Sequence, residues 1–487
     1  MTCQMPYTAR AINEKFEPFE KKMARAGLPS IVIDTFRYYY EALLKGETGL
    51  LTQNDIGSIE PAEISDLERM DDLSDLGRSM LHKAAIIKLN GGLGTSMGLE
   101  RAKSLLEIKE GMNFLDITVK QVLRYREKHA NKMPLILMNS FRTDEDTEKA
   151  LAGHKGIKTD IPCSFLQFKV PKILQESMAP AEWPQDRTLE WNPPGHGDIY
   201  IALWTSGILT KLIDAGIIYA FISNSDNLGA VMDTQILGLF AKNNLPFLME
   251  VADRTRMDKK GGHLARLREN GRLVLRESAQ CPDEEAGQFQ DINLYRYFNT
   301  NNIWINLLAL KEHLRANNNM ILLPLIRNPK TCDPRDKSSP PVYQVETAMG
   351  AAISVFDGAD AIRVPRTRFR PVKQCNDLLA LWSDCFVRTD DYNVIKNPKR
   401  TLPAPLIRLD SEYYKMIDQL KERFAQGVPS LIACESLDIK GDVKFEAGVV
   451  IRGKVKIVNR GKKQYTVPQG TVIDGADLEG GRMTIDD

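Results

Sequence analysis

Short, almost wholly apolar runs alternate along this chain with amphipathic helical patterns, and that alternation limits its fold more than any other feature. Ala84-Ala85-Ile86-Ile87-Lys88-Leu89 is the first run. Pro134-Leu135-Ile136-Leu137-Met138, Gly216-Ile217-Ile218-Tyr219-Ala220-Phe221-Ile222 and Pro246-Phe247-Leu248-Met249-Glu250-Val251 follow it. Between the first two, Leu115, Val119, Val122 and Arg126 recur on one face of a helix. Strands covered on both faces read as such continuous runs, so an α/β protein is expected, with a mostly parallel sheet and helices on both faces. Ligands of such sheets sit beyond the carboxyl ends of the strands, which makes the residues after each run the place to search.

At 487 residues the chain exceeds one ordinary core, and two or three domains are expected. It is 43% hydrophobic and 26% charged, the mixture of a globular chain. Its 65 basic and 64 acidic residues leave a formal charge of +1, which gives no global attraction to nucleic acid. Seven scattered cysteines, Cys3 among them, form no CxxC pair; reduced thiols fit better than a disulfide framework or structural zinc. Met1-Thr2-Cys3-Gln4-Met5-Pro6 lacks the pattern of a signal peptide, and Thr484-Ile485-Asp486-Asp487 carries no targeting signal. No run approaches the ~18 apolar residues of a membrane span. The expectation is a cytoplasmic protein without a nucleic-acid, membrane or obligate protein partner.

Three stretches differ in character. Residues 1–80 read as a polar, helical region. In it Ile64, Leu67, Met70, Leu73, Leu76 and Met80 recur at helical spacing and predict one helix, with Ser65 or Asp66 as its cap. Residues 81–400 hold the strand–helix alternation. Residues 401–487, entered through Pro403-Ala404-Pro405, carry short β runs between glycines. These are Leu437-Asp438-Ile439, Gly441-Asp442-Val443, Gly448-Val449-Val450-Ile451, Val455-Lys456-Ile457 and Gly470-Thr471-Val472-Ile473. Their spacing suits either the stacked coils of a β-helix or a small β-sandwich.

The first apolar run ends in Lys88-Leu89-Asn90-Gly91-Gly92-Leu93-Gly94-Thr95-Ser96-Met97-Gly98, with Lys103 and Ser104 close behind. Glycines let backbone N–H groups close on a phosphate, and a helix start beyond them favours an anion. The loop is neither GxxxxGK[ST] nor GxGxxG, since Met97 stands at the third glycine position. A glycine-rich turn without a ligand is the alternative. After the third run, Ser223-Asn224-Ser225-Asp226 puts a carboxylate at a strand end, which suits Mg²⁺ between phosphates and, failing that, a helix cap.

Further segments are Leu137-Met138-Asn139-Ser140-Phe141, Pro193-Pro194-Gly195-His196-Gly197-Asp198-Ile199-Tyr200, Ser223-Asn224-Ser225-Asp226-Asn227-Leu228-Gly229, Phe298-Asn299-Thr300-Asn301-Asn302-Ile303-Trp304 and Arg370-Pro371-Val372-Lys373. With the glycine loop, this collinear series resembles the eukaryotic UDP-glucose pyrophosphorylase family from Ala84 into the C-terminal β region. The resemblance is least distinctive over the first eighty residues. It implies a Rossmann-like nucleotidyltransferase domain with a mixed sheet, a C-terminal left-handed β-helix, and a reversible, Mg²⁺-dependent transfer from UTP to glucose 1-phosphate. The products would be UDP-glucose and pyrophosphate. By the same resemblance Leu89, Asn90, Gly91, Gly92, Gln167, Gly195, Asn224 and Ser225 bind the nucleotide. His196, Asn299, Thr300 and Asn301 bind the sugar phosphate, Asp226 holds the metal, and Lys103 and Lys373 are catalytic. The wider sugar-nucleotidyltransferase group usually has an arginine after the loop threonine. Here Ser96 and Met97 follow Thr95, so the two lysines must neutralise the triphosphate. Ser225 also departs from the apolar residue common at its position.

The residue chemistry is compatible with these roles. The Gln167 amide donates and accepts at once, as the imide edge of uracil requires. The amides and hydroxyl of Asn299, Thr300 and Asn301 suit a polyol, although a polar turn would use the same residues. An attacking phosphate is already anionic, so the protein must align and neutralise rather than supply a base. Two alternatives stay open: another sugar 1-phosphate, such as that of galactose or N-acetylglucosamine, and an inactive nucleotide-sugar sensor. Loss of Lys103, Asp226 or Lys373 would mark a sensor, and all three are present. The C-terminal stretch holds none of these residues and is expected to be dispensable for the chemistry.

Overall fold

The computed structural model describes residues 8–255 and 258–486; the Met1 to Pro6 segment, with Cys3, and Asp487 lie outside the described residues. At its centre is an eleven-stranded mixed sheet. In chain order its strands are β1 (Ile56–Gly57), β2 (Ser65–Asp66), β3 (Ala84–Asn90), β4 (Leu135–Asn139), β5 (Ser164–Leu166), β6 (Tyr219–Asn224), β7 (Phe247–Asp253), β8 (His263–Leu267), β9 (Leu273–Arg276), β10 (Tyr297–Asn306) and β11 (Asp360–Arg363). The main path runs β2-β11-β7-β10-β6-β3-β4-β5, with β1, β8 and β9 joined at the side through β10. Every neighbouring pair on that path is parallel except the two that β10 makes with β6 and β7.

The two-residue period of the strands divides the core. Ala84, Ile86, Leu135, Leu137, Tyr219 and Phe221 join one hydrophobic cluster with Leu115, Val119 and Val122 of the Phe114–His129 helix and Phe240 of the Thr234–Lys242 helix. Their neighbours Ala85, Ile87, Ile136, Met138, Ala220 and Ile222 join the opposite cluster. There they meet the Ile199–Thr205 and Leu307–Ala316 helices and the N-terminal pair Ala9–Arg25 and Ser30–Leu44. Helices thus cover both faces, as continuous apolar runs demand. No helix among the described residues is long and apolar enough to cross a membrane.

The helix expected from Ile64 to Met80 does not form. Only Ser74–Met80 is helical, and Ser65–Asp66, expected as a cap, is strand β2 paired with Ile362 and Arg363. Leu67, Met70, Leu73 and Met80 still pack on the cluster beneath the sheet. Their spacing recorded burial, while hydrogen bonds at the sheet edge set the local backbone.

In the C-terminal stretch every pairing between described strands is parallel. Leu406–Leu409 pairs with Ser430–Lys440, which pairs with Val450–Asn459, and that strand meets both Val472–Asp474 and Arg482–Ile485. Val443–Phe445 pairs with Tyr465–Val467 in the same sense. Sandwiches are built from antiparallel strands, so the all-parallel pairing does not suit that alternative. Leu437, Ile439, Val443, Phe445, Ile451 and Ile457 share their cluster with Met97 of the glycine loop, Phe114, Ile117, Val372 and Leu379. Phe445 stacks on Phe424 with ring centroids 5.1 Å apart.

That shared core changes the expectation of a dispensable C-terminus. A chain ending at Gly427 would remove Leu431, Leu437, Ile439, Phe445, Ile451 and Ile457 from the cluster that also holds Met97, Phe114 and Leu379. It should accumulate as insoluble protein or bind a hydrophobic dye such as ANS, with a non-cooperative melt. A soluble truncation that melts cooperatively would refute this.

Candidate active site

Four adjacent parallel strands end side by side, and each hands its next residue to one rim. β5 leads to Gln167, β4 to Ser140, β3 to Gly91 and β6 to Ser225. Because β10 runs the opposite way, its early residues Asn299, Thr300 and Asn301 come to the same end of the sheet. This is the crevice that open α/β sheets use for ligands.

At the β5 side, Gln167 N donates to Asn139 O at 2.8 Å. The Gln167 side-chain amide lies so close over Gly91 that a Cβ there would stand 2.7 Å from Nε2; glycine is what admits it. Ser140 Oγ donates to Gly91 O at 3.0 Å, Lys103 N to Gly92 O at 3.0 Å, and Ser225 N to Leu89 O at 3.0 Å. Asn224 and Ser225 remain half-buried at the β6 end. Asn90 does not share the rim. Its side chain is buried and donates to Asn139 Oδ1 at 2.8 Å and Thr147 Oγ1 at 2.9 Å, bracing the sheet instead of facing a nucleotide.

Lys103 and Asp226, 123 residues apart, meet with Nζ 2.6 Å from Oδ2. Their side chains are only 15% and 20% exposed, so solvent screens the contact weakly. Val372 N donates to Asp226 O at 3.3 Å, which lays the Arg370-Pro371-Val372-Lys373 segment along the Asp226 loop. Lys373 is exposed, and its backbone N donates to Asp377 Oδ2 at 2.8 Å. Burial pushes the Asp377 carboxyl up; hydrogen bonds from Lys373 N and Gln374 N, then the charges of Lys103 and Lys373, oppose it. Both sequence-assigned lysines therefore act on one locale.

Across the rim, Gly195 has φ +81°, and a Cβ would lie 2.3 Å from Thr347 O, so no other residue fits. Gly197 N donates to Thr347 O, Thr347 N to Pro194 O and Met349 N to His196 Nδ1, each at 2.9 Å. With Nδ1 accepting, the ring proton belongs on Nε2, and burial pushes the imidazolium down to about 4, leaving His196 neutral at pH 7. Asn299, Thr300 and Asn301 form a bulge in β10 opposite Glu250 and Val251, with Asn301 at φ +57°. Asn299 Nδ2 donates to Asn301 Oδ1 at 2.8 Å, and Asn301 N to Asn299 Oδ1 at 2.9 Å. Thr300 departs from its assigned role: it is 1% exposed and its hydroxyl donates to Glu250 O at 2.7 Å.

The sequence model of the family described as UTP–glucose-1-phosphate uridylyltransferase matches residues 33–452. The chain belongs to that family. It is 40% identical over 405 residues to the UTP–glucose-1-phosphate uridylyltransferase of Solanum tuberosum, covering 83% of this chain and 82% of the relative. To that of Saccharomyces cerevisiae it is 40% identical over 403 residues, covering 82% and 79%. A solved variant of the Leishmania major UDP-glucose pyrophosphorylase, in complex with UDP-glucose, superposes with a TM-score of 0.88 at 41% identity. It covers 97% of this chain and 99% of that one.

Two rim residues of this uridylyltransferase-family chain escaped the sequence reading. The Glu277 carboxylate rests against Gly262, whose carbonyl accepts from Asn299 N at 3.0 Å; burial pushes this carboxyl up and Lys373 draws it down. Nothing in Arg276-Glu277-Ser278 marks it. Asp198 Oδ2 accepts from Phe168 N at 2.7 Å, tying the residue after Gln167 to the His196 turn. Here a signal existed, since Asp198 lies inside the Pro193 to Tyr200 motif. Burial pushes its carboxyl up to about 7.

A group whose folded pKa is raised stabilises fully below its unfolded value and loses that contribution as pH climbs through the folded one. Asp198→Asn keeps an oxygen for Phe168 N and removes the buried charge. Its melting temperature relative to the parent chain should therefore rise from about pH 5 to about pH 8. A difference that does not vary with pH would count against a titrating Asp198.

Proposed function

We propose that this chain transfers the uridylyl group of UTP to glucose 1-phosphate, reversibly forming UDP-glucose and pyrophosphate. The observation that carries the reading is the Lys103–Asp226 contact between the glycine loop and the end of β6, in a chain whose relatives are named for this reaction.

Gln167 over Gly91 offers a donor and an acceptor to uracil, and the N–H groups of the glycine loop, with Lys103, meet the triphosphate. Neutral His196 donates from Nε2 to the sugar phosphate. Asn299, Asn301 and Glu277 suit the sugar hydroxyls. A phosphate oxygen of glucose 1-phosphate attacks the α-phosphorus in line as the pyrophosphate oxygen leaves, and the bond made and the bond broken are both phosphoanhydrides or their equivalents. The nucleophile is already ionised, so no protein base is needed. Lys103, Lys373 and the loop dipoles stabilise the charge that gathers around the α-phosphate.

Asp226 fits a Mg²⁺ site of the kind that uses one carboxylate and completes its shell with substrate phosphates and water. Lys103 takes Oδ2 and no protein donor meets Oδ1 among the described residues. Those residues hold no group of three or more His, Cys, Asp or Glu that could bind a metal unaided. Mg²⁺ bound there would add positive charge beside the phosphates. The reading extends to a left-handed β-helix for residues 401–487, supported by the all-parallel pairing, and to the cytoplasm, supported by six free cysteines among the described residues. It keeps 1–80 as an N-terminal region and 81–400 as the catalytic domain.

With glucose 1-phosphate as the acceptor, pyrophosphate release should be strongly selective for UTP over other nucleoside triphosphates and should vanish in excess chelator. Comparable turnover with ATP, or full activity in chelator, would sink the assignment. Lys373→Ala should lower kcat on the order of 10²–10³ while moving the KM for UTP far less. Lys373→Arg should recover only part of it, a planar fork replacing a compact charge. Near-normal kcat for the alanine variant would remove Lys373 from the mechanism.

A further inference from the structure

The loop that carries Asp226 is held from two sides by groups outside the chemistry just described. Lys88, a lysine in an otherwise apolar run, is 4% exposed in β3. Its Nζ donates to Ser223 Oγ at 2.7 Å and to Ala230 O at 2.7 Å, so one nitrogen grips the loop where it leaves β6 and where it ends. Asn227, also 4% exposed, lies between these points and uses its whole bonding capacity. Nδ2 donates to Asn302 Oδ1 at 3.2 Å and Arg368 O at 3.1 Å, while Oδ1 accepts from Gly229 N at 3.1 Å and Arg370 N at 2.8 Å. Arg368 and Arg370 belong to the segment that ends in Lys373, and Asn227 pairs with Pro371 in an isolated antiparallel bridge.

We propose that Asn227 and Lys88 are positioning residues, a buried staple that fixes the Asp226 loop and through it sets Lys373 toward the phosphates that Lys103 meets. The proposal rests on the uridylyl-transfer reading. Lys373 is exposed and makes no ion pair among the described residues, so its direction comes from its backbone. That backbone takes its register from Asn227. An aspartate at 227 would face two carbonyl-type oxygens, and an apolar residue would strand the Gly229 and Arg370 N–H groups and Asn302 Oδ1. Lys88 keeps the two ends of the loop from moving apart, which would carry Asn227 and its partners with them.

A double-mutant cycle on the full chain tests this. Asn227→Ala should lower kcat on the order of 10- to 10²-fold, the cost of misplacing a charge, with a KM for UTP changed little and a cooperative melt retained. In a Lys373→Ala background the same substitution should cost less than about threefold, because the group it positions is gone. Lys88→Met, which keeps the stem and removes the donors, should repeat the pattern. Equal losses in both backgrounds, or unchanged kcat in both single variants, overturn the staple. If Asn227→Ala fails to melt cooperatively, the Lys88→Met cycle decides; failure of both makes the staple a folding element and also overturns the proposal. A parent chain that releases no pyrophosphate defeats the functional reading first, whereas an active parent with additive losses defeats only the staple.

Discussion

The Glu250 carboxylate is fully buried in β7, and the architecture of the rim rests on how its charge is answered. Arg368 reaches it with Nε at 2.7 Å and a terminal nitrogen at 2.6 Å, Asn302 Nδ2 donates at 3.0 Å and Trp304 Nε1 at 2.9 Å. Removing one side of such a pair typically costs about 3–5 kcal/mol, since the other charge is left stranded. Three parts of the chain are thereby fastened to one another: β7, β10 and the segment returning from β11. Arg368 O then accepts from both Asn302 Nδ2 and Asn227 Nδ2, so the buried pair also underlies the Asp226 loop.

The direction of β10 matters as much as its contacts. Had it run parallel to β6 and β7, Asn299 and Asn301 would sit at the opposite edge of the sheet, a full strand length from Gly91. Running antiparallel, β10 starts where its neighbours end, and its bulge lifts Asn301 out of the ladder. The Gln167 end of the rim therefore depends on parallel strands stopping in register, and the Asn299 to Asn301 end on a single reversed strand. Lys103, Asp226 and Lys373 lie between the two, held by loops whose ends those strands fix.

Much of this was legible from residue order because some signals are local. Ala84-Ala85-Ile86-Ile87 can only satisfy both clusters by alternating between sheet faces, and the glycines after β3 favoured a close backbone approach over a plain turn. The stripe from Ile64 to Met80 misled because this segment, crossing the cluster as a short strand, turns and one short helix, packs Leu67, Met70, Leu73 and Met80 on it at helix-like intervals. Asn90 and Thr300 are polar and sit inside motif segments, yet their partners, Thr147 and Glu250, come from distant segments and turn them inward. Glu277 was invisible for the same reason, and Asp198, though inside a quoted motif, showed no role there. A carboxylate acquires its role from Gly262 or Phe168 only after the sheet has closed.

The electrostatics of the rim follow from what must bind there. Two polyanionic substrates gain from every fixed cation and lose from every nearby ionised carboxylate, most strongly where water is scarce. Burial pushes the carboxyls of Asp198, Glu277 and Asp377 toward their neutral forms, and it holds His196 neutral as well. The rim can thus carry carboxyls as hydrogen-bonding groups while adding less negative charge than their number suggests. His196 is constrained in the complementary way: with Met349 N on Nδ1, it presents an N–H without a charge that desolvation would penalise. Positive charge is left to Lys103 and Lys373, whose positions are set by Asp226 and by the backbone beside it. On the proposed reading, a site organised in this way would spend its few cations on the phosphates and leave recognition of base and sugar to neutral donors and acceptors.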